Sequence, residues 1–170
     1  MNKPFVVVSC PLDTFSGYGS RARDVVRALL NSEKYDVKVL SQRWGNTPYG
    51  FLDENDLEDK KLLDCIIPSP LQRQPDVWIQ ITVPNEFQKI GKFSIGITAG
   101  IETDICTPQF IEGCNRMDLV LGSSKHTIDV FKNTVYDKKD KENNSQGTIK
   151  IETPLDVLFE GVDIKKYFPI

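Results

Sequence analysis

The run Phe5-Val6-Val7-Val8 is apolar at every position, and no other stretch restricts the fold as much. A strand with one wet face alternates apolar and polar residues; an unbroken apolar run marks a strand covered on both faces, as in a parallel sheet. Pro11 ends that strand, and the loop Phe15-Ser16-Gly17-Tyr18-Gly19-Ser20 follows. Ala22, Val25, Val26, Leu29 and Leu30 then fall at i, i+3, i+4, i+7 and i+8, one apolar stripe on a helix predicted from about Tyr18 to Asn31. Arg21, Arg23 and Arg27 are expected on its other faces. Asp36 to Leu40 reads as a second strand. Strand, helix and strand in so short a span form a βαβ unit, nearly always right-handed.

The alternation continues. Ser41 to Asp56 is rich in Gly, Pro, Asn and aromatic residues, which predicts an ordered loop. A short charged helix is expected over Leu57–Leu63, and a small strand at Ile66-Ile67 before Pro68. Strands are predicted over Asp76–Ile81 and Lys92–Thr98, with a loop or single helical turn across Pro84–Ile90. Thr107 is expected to cap a helix that Pro108 opens and that runs to about Arg116. A strand over Asp118–Leu121, a helix from Ser123 or Ser124 to Phe131 or Thr134, and a last strand over Asp156–Phe159 complete the series. Asp137–Gly147 is so charged and polar that a solvated, mobile loop is expected. The predicted class is α/β: a doubly wound, mostly parallel sheet of about six strands in a single domain over residues 1–170.

Composition narrows the function. The 170 residues suffice for one real core, and 39% hydrophobic with 26% charged residues describes a globular chain. A net charge of −3 speaks against broad nucleic-acid binding, which needs a basic face. No apolar run approaches the roughly 18–20 residues of a membrane helix, and the residues before Phe5 are too few for a signal peptide. Cys10, Cys65, Cys106 and Cys114 show neither CxxC pairing nor metal-ligand spacing with the single His126. Free thiols in a reducing, cytoplasmic setting are expected, and a structural zinc site is not.

Ligands of open α/β sheets bind at the carboxyl ends of the strands. Three predicted strand-end loops, Ser16–Ser20, Ala99–Asp104 and Gly122–Lys125, are therefore expected along one rim. Gly17 and Gly19 permit positive φ and close approach of a ligand, and the free amides of the helix start favour an anion such as phosphate. The same residues, Gly17 to Ala22, satisfy G-x-G-x-x-A, so a dinucleotide site is a rival reading. Against it, seven residues separate Ser9 from Gly17, and Leu40-Ser41-Gln42-Arg43 offers no acid for a ribose, although Arg43 could face a 2′-phosphate of NADP. A plain turn requirement for the two glycines is the third alternative.

Several motifs occur in a fixed order: Ser16-Gly17-Tyr18-Gly19; Ile101-Glu102-Thr103-Asp104; Pro108; Glu112-Gly113-Cys114-Asn115-Arg116-Met117-Asp118-Leu119-Val120; Ser123-Ser124-Lys125 with Phe131; Glu160-Gly161-Val162-Asp163 with Tyr167-Phe168-Pro169. In this set and order the chain resembles the amino-terminal half of GT-B glycosyltransferases of the group-1, family-4-like kind. The resemblance implies a Rossmann-like, acceptor-side domain whose partner is a separate donor-binding domain, expected beyond Ile170. It implies transfer of a sugar from a nucleotide-sugar to a hydroxyl acceptor, with retention of configuration, no metal, and little activity from this half alone. Ser16, Gly17, Tyr18 and Gly19 then correspond to the loop that approaches donor phosphate and sugar. Glu102 stands near a catalytic-loop histidine of many relatives and becomes the catalytic carboxylate, either orienting the acceptor hydroxyl or contacting the sugar. Thr103, Ser123 and Lys125 are the remaining substrate-binding candidates. A loop-stabilising carboxylate for Glu102, capping for Ser123, a solvent-facing position for Lys125 and His126, and a turn-fixing role for Asp163 are the competing readings. A non-enzymatic ligand-binding module on the same scaffold is the alternative to the enzyme.

Overall fold

A computed structural model describes residues 3–68, 70–139, 144–162, 164 and 167–168. The strands are β1 (Phe5–Cys10), β2 (Asp36–Ser41), β3 (Val77–Ile81), β4 (Phe93–Thr98), β5 (Leu119–Gly122), β6 (Tyr136–Lys139), β7 (Ser145–Ile149) and β8 (Leu155–Val157). Six of them form one sheet in the order β2-β1-β3-β4-β5-β8, every neighbouring pair parallel. Ile66 adds an isolated parallel bridge to Val39 outside β2, held by Val39 N–H to the Cys65 carbonyl and Ile67 N–H to the Val39 carbonyl, 2.9 Å each. Counting that bridge, the chain winds outward from β1 in one direction and then from β3 in the other. The reversal lies between β1 and β3, where open α/β sheets leave a crevice.

Both faces of the sheet are covered, as the apolar run in β1 predicts. Val6 and Val8 point to one side, with Ile79 and Ile81, and pack with Ala22 and Val26 of α1 (Gly17–Asn31) and Leu62 of α2 (Leu57–Leu63). Val7 points to the other, with Trp78 and Val120, and packs with Ile111 and Cys114 of α3 (Pro108–Cys114) and Phe131 of α4 (Lys125–Asn133). Each such buried aliphatic side chain stabilises by about 1.5–3 kcal/mol. All four cysteines are free and buried, and burial pushes the Cys10 and Cys114 thiols up to about 12.

Four expectations need correction. Arg23 does not cover an exposed helix face: it is 4% exposed, donates to the carbonyls of Leu12 and Thr14 at 2.8 and 3.0 Å, and lies 3.5 Å from the centre of the Phe51 ring. Burial draws its pKa below the usual arginine value. Thr107 holds the cap position of α3, but its side chain makes no capping bond; Pro108 starts the helix without needing one. The cap of α4 is Ser124, which accepts from Thr127 N–H at 3.1 Å, and not Ser123. Finally, the polar segment expected as a loop contains β6 and β7, an antiparallel pair outside the main sheet. The pair is mostly exposed, so its strands carry no hydrophobic alternation to read. Tyr136 anchors it by donating to the Cys106 carbonyl at 2.7 Å. Asp163 and Pro169 lie outside the described residues.

Candidate functional site

The Ser16 hydroxyl, bonded to the Thr14 hydroxyl at 2.8 Å, accepts from Gly19 N–H at 2.9 Å and so starts α1. The Gly17 and Tyr18 amides donate to no group among the described residues. Neither glycine takes positive φ. Gly19 is required by close approach: a Cβ there would meet the Thr14 carbonyl at 2.5 Å. Gly17 has open space where its Cβ would be, with nothing within 4 Å.

Tyr18 ties this turn to the end of β4. Its phenol oxygen lies 3.0 Å from the Thr98 hydroxyl and accepts from Ala99 N–H at 3.1 Å. Just after β5, Ser123 donates to the Ala99 carbonyl at 3.1 Å, and Thr127 of α4 donates to the same carbonyl at 2.8 Å. Gly100, at φ +89°, turns the chain away immediately afterwards; a Cβ there would collide with the Thr127 side chain at 2.3 Å. The three strand-end loops are thus joined by direct hydrogen bonds at one rim.

A cavity of about 310 Å³ opens between them. Gly17, Tyr18, Thr98, Ala99 and Ser123 line it, above Ile81 and Ile97. Arg21 and Glu160 complete the wall, and Arg21 is fixed there by donating to the carbonyls of Leu158 and Phe159. The lining is predominantly apolar, with polar groups at the edge, the usual make-up of a ligand site.

Of the residues singled out from sequence, Gly17, Tyr18 and Ser123 border this cavity. Ser16 and Gly19 shape the turn behind it. Glu102, Thr103 and Lys125 are exposed and are not part of its wall. Thr103 donates to the Ile105 carbonyl at 2.7 Å, which folds its own loop. The carboxylate that does line the cavity is Glu160, from the far end of the described chain. Sequence reasoning also missed Thr98, although its place at the end of a predicted strand was a usable signal. It missed Trp44, which stacks on Tyr18 with ring centres 4.2 Å apart, because that contact joins a long loop to a helix start. Among the described residues no cluster of His, Cys, Asp or Glu is placed to hold a metal ion, and no helix is long and apolar enough to cross a membrane. Compared with protein-family models, curated proteins and solved structures, the chain matches none of them.

Proposed function

We propose that this domain is the acceptor-side half of a GT-B-type glycosyltransferase, which moves a sugar from a nucleotide-sugar donor to a hydroxyl acceptor. One observation carries the reading: the loops after β1, β4 and β5 are bonded to one another around a cavity whose open edge is Gly17. A glycine with free space on its Cβ side lets a bulky group lie against the backbone. The unpaired amides of Gly17 and Tyr18 at the start of α1 suit the leaving diphosphate, whose growing charge they would stabilise. Glu160 lines the cavity, and Glu102 stands exposed on the loop after β4, on the same rim.

The dinucleotide reading is less well supported. Its second glycine exists so that pyrophosphate can approach, but the space beside Gly19 is filled by Thr14 of the chain itself. The test is a nucleotide-sugar panel, assayed for binding and transfer with the polypeptide that carries this domain together with its donor-binding domain. Saturable binding of one donor and turnover that falls about 100-fold or more in Glu102→Gln are expected. A panel in which no nucleotide-sugar binds or turns over defeats the reading.

A further inference from the structure

A second cavity, of about 370 Å³, lies at the crevice between β1 and β3. Ile81 lines both cavities. Tyr18 borders the first and Trp44 the second, so their stacked rings form a shared wall.

This second lining is polar and built. Ser9 and Gln80 are strand neighbours, both buried. Gln80 is fixed: its amide nitrogen donates to the Glu86 carbonyl at 3.0 Å, and its oxygen accepts from Gln88 N–H at 2.8 Å. The Thr82 hydroxyl donates to the Glu86 carboxylate. Ser9 differs from these. It is 3% exposed, it lines the cavity, and its hydroxyl has no hydrogen-bond partner among the described residues. No fully enclosed side-chain nitrogen or oxygen lacks a partner among those residues, so the Ser9 hydroxyl is open to the cavity. A polar group this deep is stabilised only when something hydrogen-bonds to it.

We propose that this cavity is a subsite for a neutral, hydroxyl-rich ligand, a sugar or polyol. Hydroxyl groups both donate and accept, and the amides of Gln42 and Gln88 with the Ser9 hydroxyl offer both functions. The Trp44 indole supplies apolar surface for the C–H face of a sugar ring. The charged groups in the wall, Arg43 and Glu86, are of opposite sign. Their charges offset one another across the wall, so neither sign of ion is favoured over a neutral guest. That this guest is the acceptor rests on the transferase reading; its binding does not.

The experiment is an amide and indole NMR titration of the whole chain with glucose, inositol and inorganic phosphate. The Trp44 indole and Gln42 side-chain signals are expected to shift saturably with glucose or inositol and not with phosphate. Gln42 is exposed, so Gln42→Ala folds normally; it is expected to weaken binding roughly tenfold, a change of about 1.4 kcal/mol. Lys61→Ala, on the exposed side of α2 and in neither cavity, leaves this binding unchanged. No saturable shift with either neutral probe, a response to phosphate alone, or equal binding by Gln42→Ala overturns the proposal. Neutral-sugar binding without any transfer would instead sink only the transferase reading.

Discussion

The two ends of the same sheet are finished in opposite ways. At the amino end, Asp76 precedes β3 and accepts from Phe5 N–H at 2.9 Å while pairing with Lys92 at 2.6 Å. Asp118 precedes β5, accepts from Ser94 N–H at 2.8 Å and pairs with Lys89 at 2.5 Å. These lysines and strand amides hold both carboxyls below the usual carboxylate range. Each aspartate ties one strand to a neighbour. At the carboxyl end, hydrogen bonds join loop to loop instead, through Tyr18, Ser123 and Thr127. That arrangement leaves two cavities, unpaired amides at Gly17 and Tyr18, and an unpaired hydroxyl at Ser9. Paired charges at the amino rim brace its strands, and they also border a cavity of about 660 Å³ between Pro4, Asp36, Arg73 and Asp76. At the carboxyl end the polar groups without protein partners face open cavity space instead.

The contrast can be broken at graded depth. Arg23→Ala should have the largest effect, a loss of about 3 kcal/mol, because it strips two buried carbonyls of a charged donor under the carboxyl-end loop; urea denaturation measures it. Gly19→Ala comes next, at about 1–3 kcal/mol from overpacking against Thr14. Gly17→Ala should leave thermal stability the same or raise it by up to about 1 kcal/mol. It should nevertheless weaken donor binding, and equal binding by the two proteins would show that no ligand lies against Gly17. Tyr18→Phe should cost about 1 kcal/mol by freeing Thr98 and Ala99 N–H.

The amino end is the place for the smallest effect, one of pH. The unfolded carboxyls titrate near 3.8 and the folded ones lower. Their contribution is therefore complete above that value and disappears as pH falls through the folded values. The urea midpoint should drop in that acid window, and the drop should shrink in Asp76→Asn/Asp118→Asn. An unchanged acid profile in the double variant would show that the amino rim is not held by these charges.

Much of this was legible before any coordinates. The runs around Val7, Ile79 and Val120 had the periodicity of buried strands, and the stripe from Ala22 to Leu30 had that of a helix, because burial on a repeating geometry leaves a repeating pattern. Even the marginal pairing at Ile66 was readable. The antiparallel pair of β6 and β7 was not, since exposed strands owe their pairing to the backbone and leave no apolar signature. Arg23 was misread for a related reason: its partners are carbonyls of a loop, and any residue type supplies a carbonyl.

The strand-and-helix order, the two-sided core and the rim that gathers the three strand-end loops follow from residue patterns along the chain, because each depends on local spacing and chain direction. Which side chains face one another across that rim was settled by folding alone. Tyr18 meets Thr98 across 80 positions of sequence, and Glu160 rather than Glu102 borders the cavity. Such meetings depend on the angle at which a loop leaves its strand, as Gly100 shows, and packing sets that angle.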